Sequence, residues 1–248
     1  MKKSLLLIAL FIGLSISSAF SKTVINGYTY KPFAGKTVNL IQYKDFITKE
    51  YDIVKSTTID TNGKFLFEVD FKKIKYVIIQ IEYLIGIMYL DTNQVYTIYF
   101  PPVSEDGYKL TRNNVNIVFK TIPPNDINGL ILEFDRLYDN FLLDMKFNLF
   151  DETFNRKLDS FKLAIKDYYK GEKNEYFLKY IKYSIGNLEL LSPQTHKKIN
   201  KIAVYNNYIA NKSIDYDNQV QILFLKSFYE KQLRNQLGKI GQKISETI

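Results

Sequence analysis

An α+β fold, an antiparallel β-sandwich of about eight strands followed by an all-helical segment of about five helices, is what this sequence predicts. Three observations carry the prediction. From Thr23 to about Lys120 the apolar residues alternate, or run in short β-branched and aromatic bursts between turn residues. After Asp126 they recur at three- and four-residue steps, the period of an amphipathic helix. Pro101-Pro102 and Pro123-Pro124 flank the last predicted strand, and prolines at that density end a sheet and stiffen a connection. The expected organisation is a leader over 1–21, a β-sandwich domain over 22–122 and a helical domain over 123–248.

The leader has the three-part composition of an export signal. Lys2 and Lys3 precede an apolar run from Leu5 to Ile16, and Ser17-Ser18-Ala19-Phe20-Ser21 supplies small residues for cleavage after Ser21. The run is shorter than the ~20 residues that cross a bilayer, so a cleaved signal is expected in place of an anchor, with no membrane span afterwards. This predicts a periplasmic or secreted protein.

The predicted strands are Thr23–Tyr30, Thr37–Tyr43, Tyr51–Ile59, Lys64–Asp70, Tyr76–Tyr83, Ile87–Leu90, Val95–Phe100 and Val115–Phe119. Asn62-Gly63, between two alternating runs, marks a tight hairpin with both residues at positive φ. Asp60 to Gly63 shares its opening with a calcium loop, but Lys64 and Phe65 stand where further oxygen ligands are needed, so a turn is predicted and no metal.

Ile127, Ile131, Phe134, Tyr138, Phe141 and Met145 mark the inner stripe of a first helix, with Glu133, Arg136, Asp139 and Lys146 facing away. A second helix is predicted from near Asp151, with Phe154, Leu158, Phe161, Ile165 and Tyr168 inward and Gly171 as its stop. A third runs from about Glu172 to Ile185. Ser192-Pro193 opens a fourth, with Ile199, Ile202 and Ile209 on its stripe. Asp217 caps the last, which carries Val220, Leu223, Phe224 and Phe228 inward and fades toward Gly238.

Composition narrows the function classes. The chain has no cysteine and a single histidine, so disulfides and the usual zinc ligand sets are excluded. A formal net charge of +8 is spread over both halves and not gathered on one arm or helix, which argues against nucleic acid as a partner. His196, followed by two lysines, reads as a solvated helix residue, and no Gly-x-Ser-x-Gly turn or glycine-rich phosphate loop is present. The adjacent acids Glu105-Asp106 and Asp151-Glu152 fall in a loop and at a helix start, where a carboxylate pair for acid–base catalysis is not expected. No catalytic, cofactor-binding or metal-ligating residue is predicted, and no cofactor. Tyr28, Tyr30, Tyr43 and Tyr51, on the early strands, are the candidates for stacking against a sugar.

The order of features resembles a known family. Asn26-Gly27-Tyr28, Gly35-Lys36-Thr37-Val38-Asn39-Leu40, Thr57-Thr58-Ile59-Asp60-Thr61-Asn62-Gly63-Lys64-Phe65, Met88-Tyr89-Leu90, Val95 through Pro102 and a long helical segment follow the leader in turn. This is similar to the N-terminal region of exported TlpA-like, thioredoxin-like thiol–disulfide reductases of Gram-negative bacteria. The resemblance implies a β-sandwich and a helical segment placed before a thioredoxin domain. That family's activity resides in a Cys-x-x-Cys motif, and this chain has no cysteine, so no redox residue carries over. A natural short form and a catalytic domain encoded beyond Ile248 both remain open. The expectation is a non-catalytic binding or docking module of the bacterial envelope whose partner is an unidentified envelope protein or a glycan. The alternatives are the accessory half of such a reductase and a glycan-binding sandwich.

Overall fold

The computed structural model describes residues 22–29, 33–101, 113–122, 125–146, 152–192, 198–230 and 233. The expected leader over 1–21, Tyr30, the loop with Glu105-Asp106, Pro123-Pro124, Asp151, Pro193, His196 and Gly238 lie outside these residues.

The strands are β1 (Thr23–Tyr28), β2 (Thr37–Tyr43), β3 (Tyr51–Thr58), β4 (Lys64–Val69), β5 (Lys75–Ile81), β6 (Leu84–Leu90), β7 (Val95–Tyr99), β8 (Asn113–Val115) and β9 (Val118–Thr121). They form a four-stranded sheet of order β4-β1-β7-β9 and a five-stranded sheet of order β3-β2-β5-β6-β8. The helices are α1 (Ile127–Met145), α2 (Glu152–Tyr168), α3 (Glu175–Leu191), α4 (Lys198–Tyr208) and α5 over 219–230. The protein is thus α+β, strands first and helices after.

One core lies between the sheets. Ile25, Phe67, Tyr96 and Ile98 from the four-stranded sheet meet Leu40, Val77, Ile79 and Met88 from the five-stranded one. A second core lies on the other face of the five-stranded sheet, where Ile41, Tyr76, Ile78 and Tyr89 pack against Ile127, Phe134, Phe177 and Ile222. The change of period at Asp126 is therefore a change of layer: the helices cover the outer face of a sheet whose inner face is already closed.

Several expectations are corrected. The sandwich is not purely antiparallel, since β1 and β7 pair in parallel, as do β6 and β8. Neighbours in each sheet are often distant in sequence, so strand direction depends on the end at which the chain returns. The single strand predicted over Val115–Phe119 is two, β8 in one sheet and β9 in the other. The fifth and sixth strands join through Glu82-Tyr83, with Ile81 opposite Leu84 and Glu82 at φ 52°, a left-handed turn without glycine, asparagine or proline to announce it. The turn at Asn62-Gly63 does not join a hairpin: it carries the chain from β3 in one sheet to β4 in the other, and of its two residues only Gly63 has positive φ (79°). The Gly63 amide donates to the Asp60 carbonyl, and the Asp60 carboxylate accepts from the Asn62 and Lys64 amides. This is a three-residue loop closed by a left-handed glycine, and Asp60 is consumed by its turn.

The helical corrections have equally local causes. Asn218, not Asp217, caps α5, its side-chain oxygen accepting from the Gln221 amide at 3.0 Å. Helix α3 starts later and ends later than predicted, capped by Asn174 and running through Gly186 to Leu191. Gly186 is tolerated inside it because the Phe224 ring of α5 lies against that position, where a Cβ would come within 2.8 Å. Tyr168 and Ile202, expected inward, are exposed. Tyr169 packs into the core in place of the first, and Val204 and Tyr208 form the buried stripe of α4.

A buried polar joint fixes α1 to the sheet. The Asn128 side chain accepts from the Tyr89 amide and donates to the Tyr89 carbonyl, both at 2.8 Å, acting as a short strand against the edge of β6. Asp126 caps α1, accepting from the Asn128 amide, and receives the Tyr96 hydroxyl at 2.9 Å from the inter-sheet core. Burial pushes the Tyr96 hydroxyl well above the ordinary phenol range. Asn128→Ala leaves both Tyr89 groups without partners in the interior and is expected to cost about 3 kcal/mol, read as a lower urea midpoint at unchanged slope.

Candidate functional site

The cover on the outer face of the five-stranded sheet runs out along the strands. One row across β5 and β6 is Tyr76 opposite Tyr89, both buried beneath the helices. The next is Ile53, Ile41, Ile78 and Ile87 across four strands, buried in the middle but 55 % and 41 % exposed at its two ends. The third is polar: Ser56, Asn39, Gln80, Ile85 and Asn114. An isoleucine row beside an amide row forms the floor of a groove.

Two cavities occupy this floor and share Ile85, Ile87 and Asn114 as a common wall. The first, about 550 Å³, is bounded by an aromatic cluster on one side and α5 on the other. Tyr43 stacks on Tyr76 at 6.2 Å, and Phe46 sets its edge against both rings at 5.6 Å. Burial pushes the Tyr76 hydroxyl up to about 12, so it remains a neutral hydrogen-bonding group. Lys49 and Lys226 reach this cavity, and its described lining holds no acid, serine, threonine or histidine. Lys226 lies 3.8 Å from Glu230, one turn along α5.

The second cavity, about 610 Å³, opens between the β6–β8 edge and α1. Ile117, Ile131, Leu132 and Phe119 make it apolar, and Asp135 is its one charged group among the described residues. The Tyr180 hydroxyl donates to the Asp135 carboxylate at 2.8 Å. Burial raises the Asp135 carboxyl above its ordinary range, partly offset by that hydrogen bond, and the Asp139 charge adds to the rise.

A third cavity, about 440 Å³, lies at the seam between the sheet and the helices. Ion pairs cross it: Lys73 and the neighbouring Lys75 both pair with Asp217, the latter at 2.5 Å, and Lys179 pairs with Asp215 at 2.9 Å. This is an ionic clamp between β5 and the approach to α5, with a structural task.

Of the tyrosines singled out from the sequence, Tyr43 and Tyr51 line the first cavity. Tyr28 lies on the other sheet, with the Lys64 ammonium 5.7 Å from its ring centre. Asp135 was not legible as a site residue. Its signal is an acid at helical spacing between Ile131 and Tyr138, where the stripe calls for an apolar side chain. Among the described residues no group of three or more His, Asp or Glu side chains is placed to hold a metal ion, and no helix is long and apolar enough to cross a membrane. Compared with protein-family models, curated proteins and solved structures, the chain finds no match in any of the three.

The clamp gives a pH prediction. Burial alone would raise the Asp217 carboxyl, but the hydrogen bonds from Lys73 and Lys75 hold it below the ordinary value. A carboxyl depressed in the folded state stabilises above its unfolded pKa of ~3.9, and that contribution is lost as pH falls through the folded value. Asp217→Asn is expected to lose about 2 kcal/mol at neutral pH and to flatten the acid limb of a stability-versus-pH curve measured in urea.

Proposed function

We propose that this protein is a non-catalytic, exported binding or docking module of the bacterial envelope, and that its ligand seat is the groove on the outer face of the five-stranded sheet. The observation that carries the reading is the pair of adjoining cavities over the Ile78–Ile87 row, each within the size range of small-molecule sites. Their lining is suited to holding a ligand and poor in reacting groups: apolar walls, amides from Gln80, Asn114 and Gln219, and isolated charges in place of a nucleophile beside a base. Export is supported by the leader, from Lys2 to Ser21.

Two further readings keep a specific observation each. Tyr43 and Tyr51 share the first cavity, which favours a glycan stacked on their rings. The ordered segments from Asn26 to Pro102 favour the accessory half of a thioredoxin-like reductase. That reading requires a Cys-x-x-Cys domain encoded in frame beyond Ile248, and a stop codon followed by unrelated sequence removes it.

A thermal-shift screen against amphiphiles, peptides and oligosaccharides, run on the wild type and on Ile87→Glu, tests the seat. Ile87 is 41 % exposed, so the variant is expected to keep its melting temperature within the range of ordinary surface changes. Compounds that stabilise the wild type are expected to lose at least about tenfold in affinity with a glutamate set into the shared wall. Equal stabilisation of both proteins by every hit would move the seat elsewhere. Oligosaccharides alone among the hits, weakened by Tyr51→Ala, would select the glycan reading.

A further inference from the structure

Asp135 is the half-buried charge in this groove that no opposite charge answers among the described residues. No lysine, arginine or histidine nitrogen lies within ion-pair distance of it among the described residues, and none lines its cavity. The groups that face it are phenols and another acid: Tyr180 from α3, Tyr89 from β6, Tyr169 just after α2, and Tyr138 and Asp139 from its own helix. A carboxylate held half-buried in an apolar cavity with one neutral hydrogen bond carries an uncompensated desolvation cost. The excess of basic residues in the chain makes the omission more pointed, since Lys22, Lys36 and Lys44 all pair with acids elsewhere. Chemically, such a site favours a cation that brings its own hydrocarbon.

We propose that the cavity between β6, β8 and α1 binds an apolar ligand with a primary-ammonium head, its cation against the Asp135 carboxylate and its hydrocarbon along Ile85, Ile87 and Leu132. This rests on the groove being the ligand seat and adds the class of ligand. The ammonium supplies the missing countercharge at a carboxylate oxygen that Tyr180 leaves free, and a charge-assisted hydrogen bond in such surroundings is stronger than a neutral one. The chain of isoleucines continuing toward Ile78 gives the hydrocarbon an apolar track out of the cavity. An anion is disfavoured here by Asp135 and by Asp139 beyond it.

The test uses three probes of one chain length, octylammonium, octanol and octanoate, titrated calorimetrically into the protein at pH 7.5. Octylammonium is expected to bind about tenfold more tightly than octanol, and octanoate more weakly than either. Asp135→Asn keeps an oxygen for the Tyr180 hydroxyl and removes the charge. It is expected to bring octylammonium down to the octanol level with the melting temperature unchanged or raised, an outcome that a merely structural role for Asp135 would not produce. In the wild type, octylammonium affinity falls as pH drops through the raised Asp135 carboxyl value, while the amine stays charged throughout. Equal binding of octylammonium and octanol, both lost in Ile87→Glu, overturns the ammonium inference and leaves the groove reading standing. Undiminished octylammonium binding in Asp135→Asn overturns it as well. Refusal of all three probes overturns it too, and the groove then stands or falls on its own library screen.

Discussion

Burial of β5 on both faces is the constraint on which the rest of the structure depends. Tyr76, Val77, Ile78 and Ile79 are buried in succession, so apolar side chains leave the strand in both directions and each needs a partner layer. Val77 and Ile79 are met by the four-stranded sheet, and Tyr76 and Ile78 by the helices and the Phe46 loop. Each CH₂ removed from water contributes about 0.8 kcal/mol. Neither sheet nor helices can therefore be removed without exposing a stripe of β5. The two regions distinguished by period in the sequence meet on one strand.

Apolar burial alone does not fix where a helix lies on a sheet, because it has little directional preference. Direction comes from the polar joint. Asn128 can bond both Tyr89 groups only with α1 beginning at the edge of β6, and Asp126 can cap that helix and accept from Tyr96 only at the same place. At the same end of the sheet, where Lys75 lies opposite Leu90, Asp217 does the same for α5 by taking Lys73 and Lys75. Two anchored helices thus leave the Gln80–Ile85 end of the face uncovered among the described residues. The groove is where the covering layer stops.

The strands and the inner stripe of α1 were readable in the sequence because period is a local property. Ile127, Ile131, Phe134, Phe141 and Met145 are all buried as their spacing requires. What escaped depends on distant partners. A turn at Glu82 carries no residue preference of its own, and the Lys36 side chain that reaches Glu82 at 3.2 Å comes from before β2. The third helix runs past its expected end at Ile185 because Phe224, distant in sequence, fills the space above Gly186. Asp217 and Asn218 are equally good capping residues in isolation, and Lys73 and Lys75, which engage Asp217, decide between them. The candidate site was the least legible part. Its floor joins residues from five strands, and Asp135 looks like any helical acid until its surroundings are known to hold no cation.

Several other buried or half-buried acids on the helical side are answered by several donors or by a lysine, which sets Asp135 apart from them. Asp126 receives three donors, Asp215 and Asp217 receive lysines, and Glu189 receives Lys162 at 2.6 Å. Desolvation without an opposite charge disfavours the ionised form and costs stability at neutral pH, whereas an asparagine at the same position would keep the Tyr180 bond without that cost. That cost is what the proposed ammonium ligand would offset. The two ends of the groove differ in the same way: Lys49 is exposed and Lys226 lies partly open at the rim, whereas Asp135 is half-buried in an apolar cavity. For the proposed ligand, the charge contact therefore falls at the α1 end of the groove, and the aromatic end offers area more than charge.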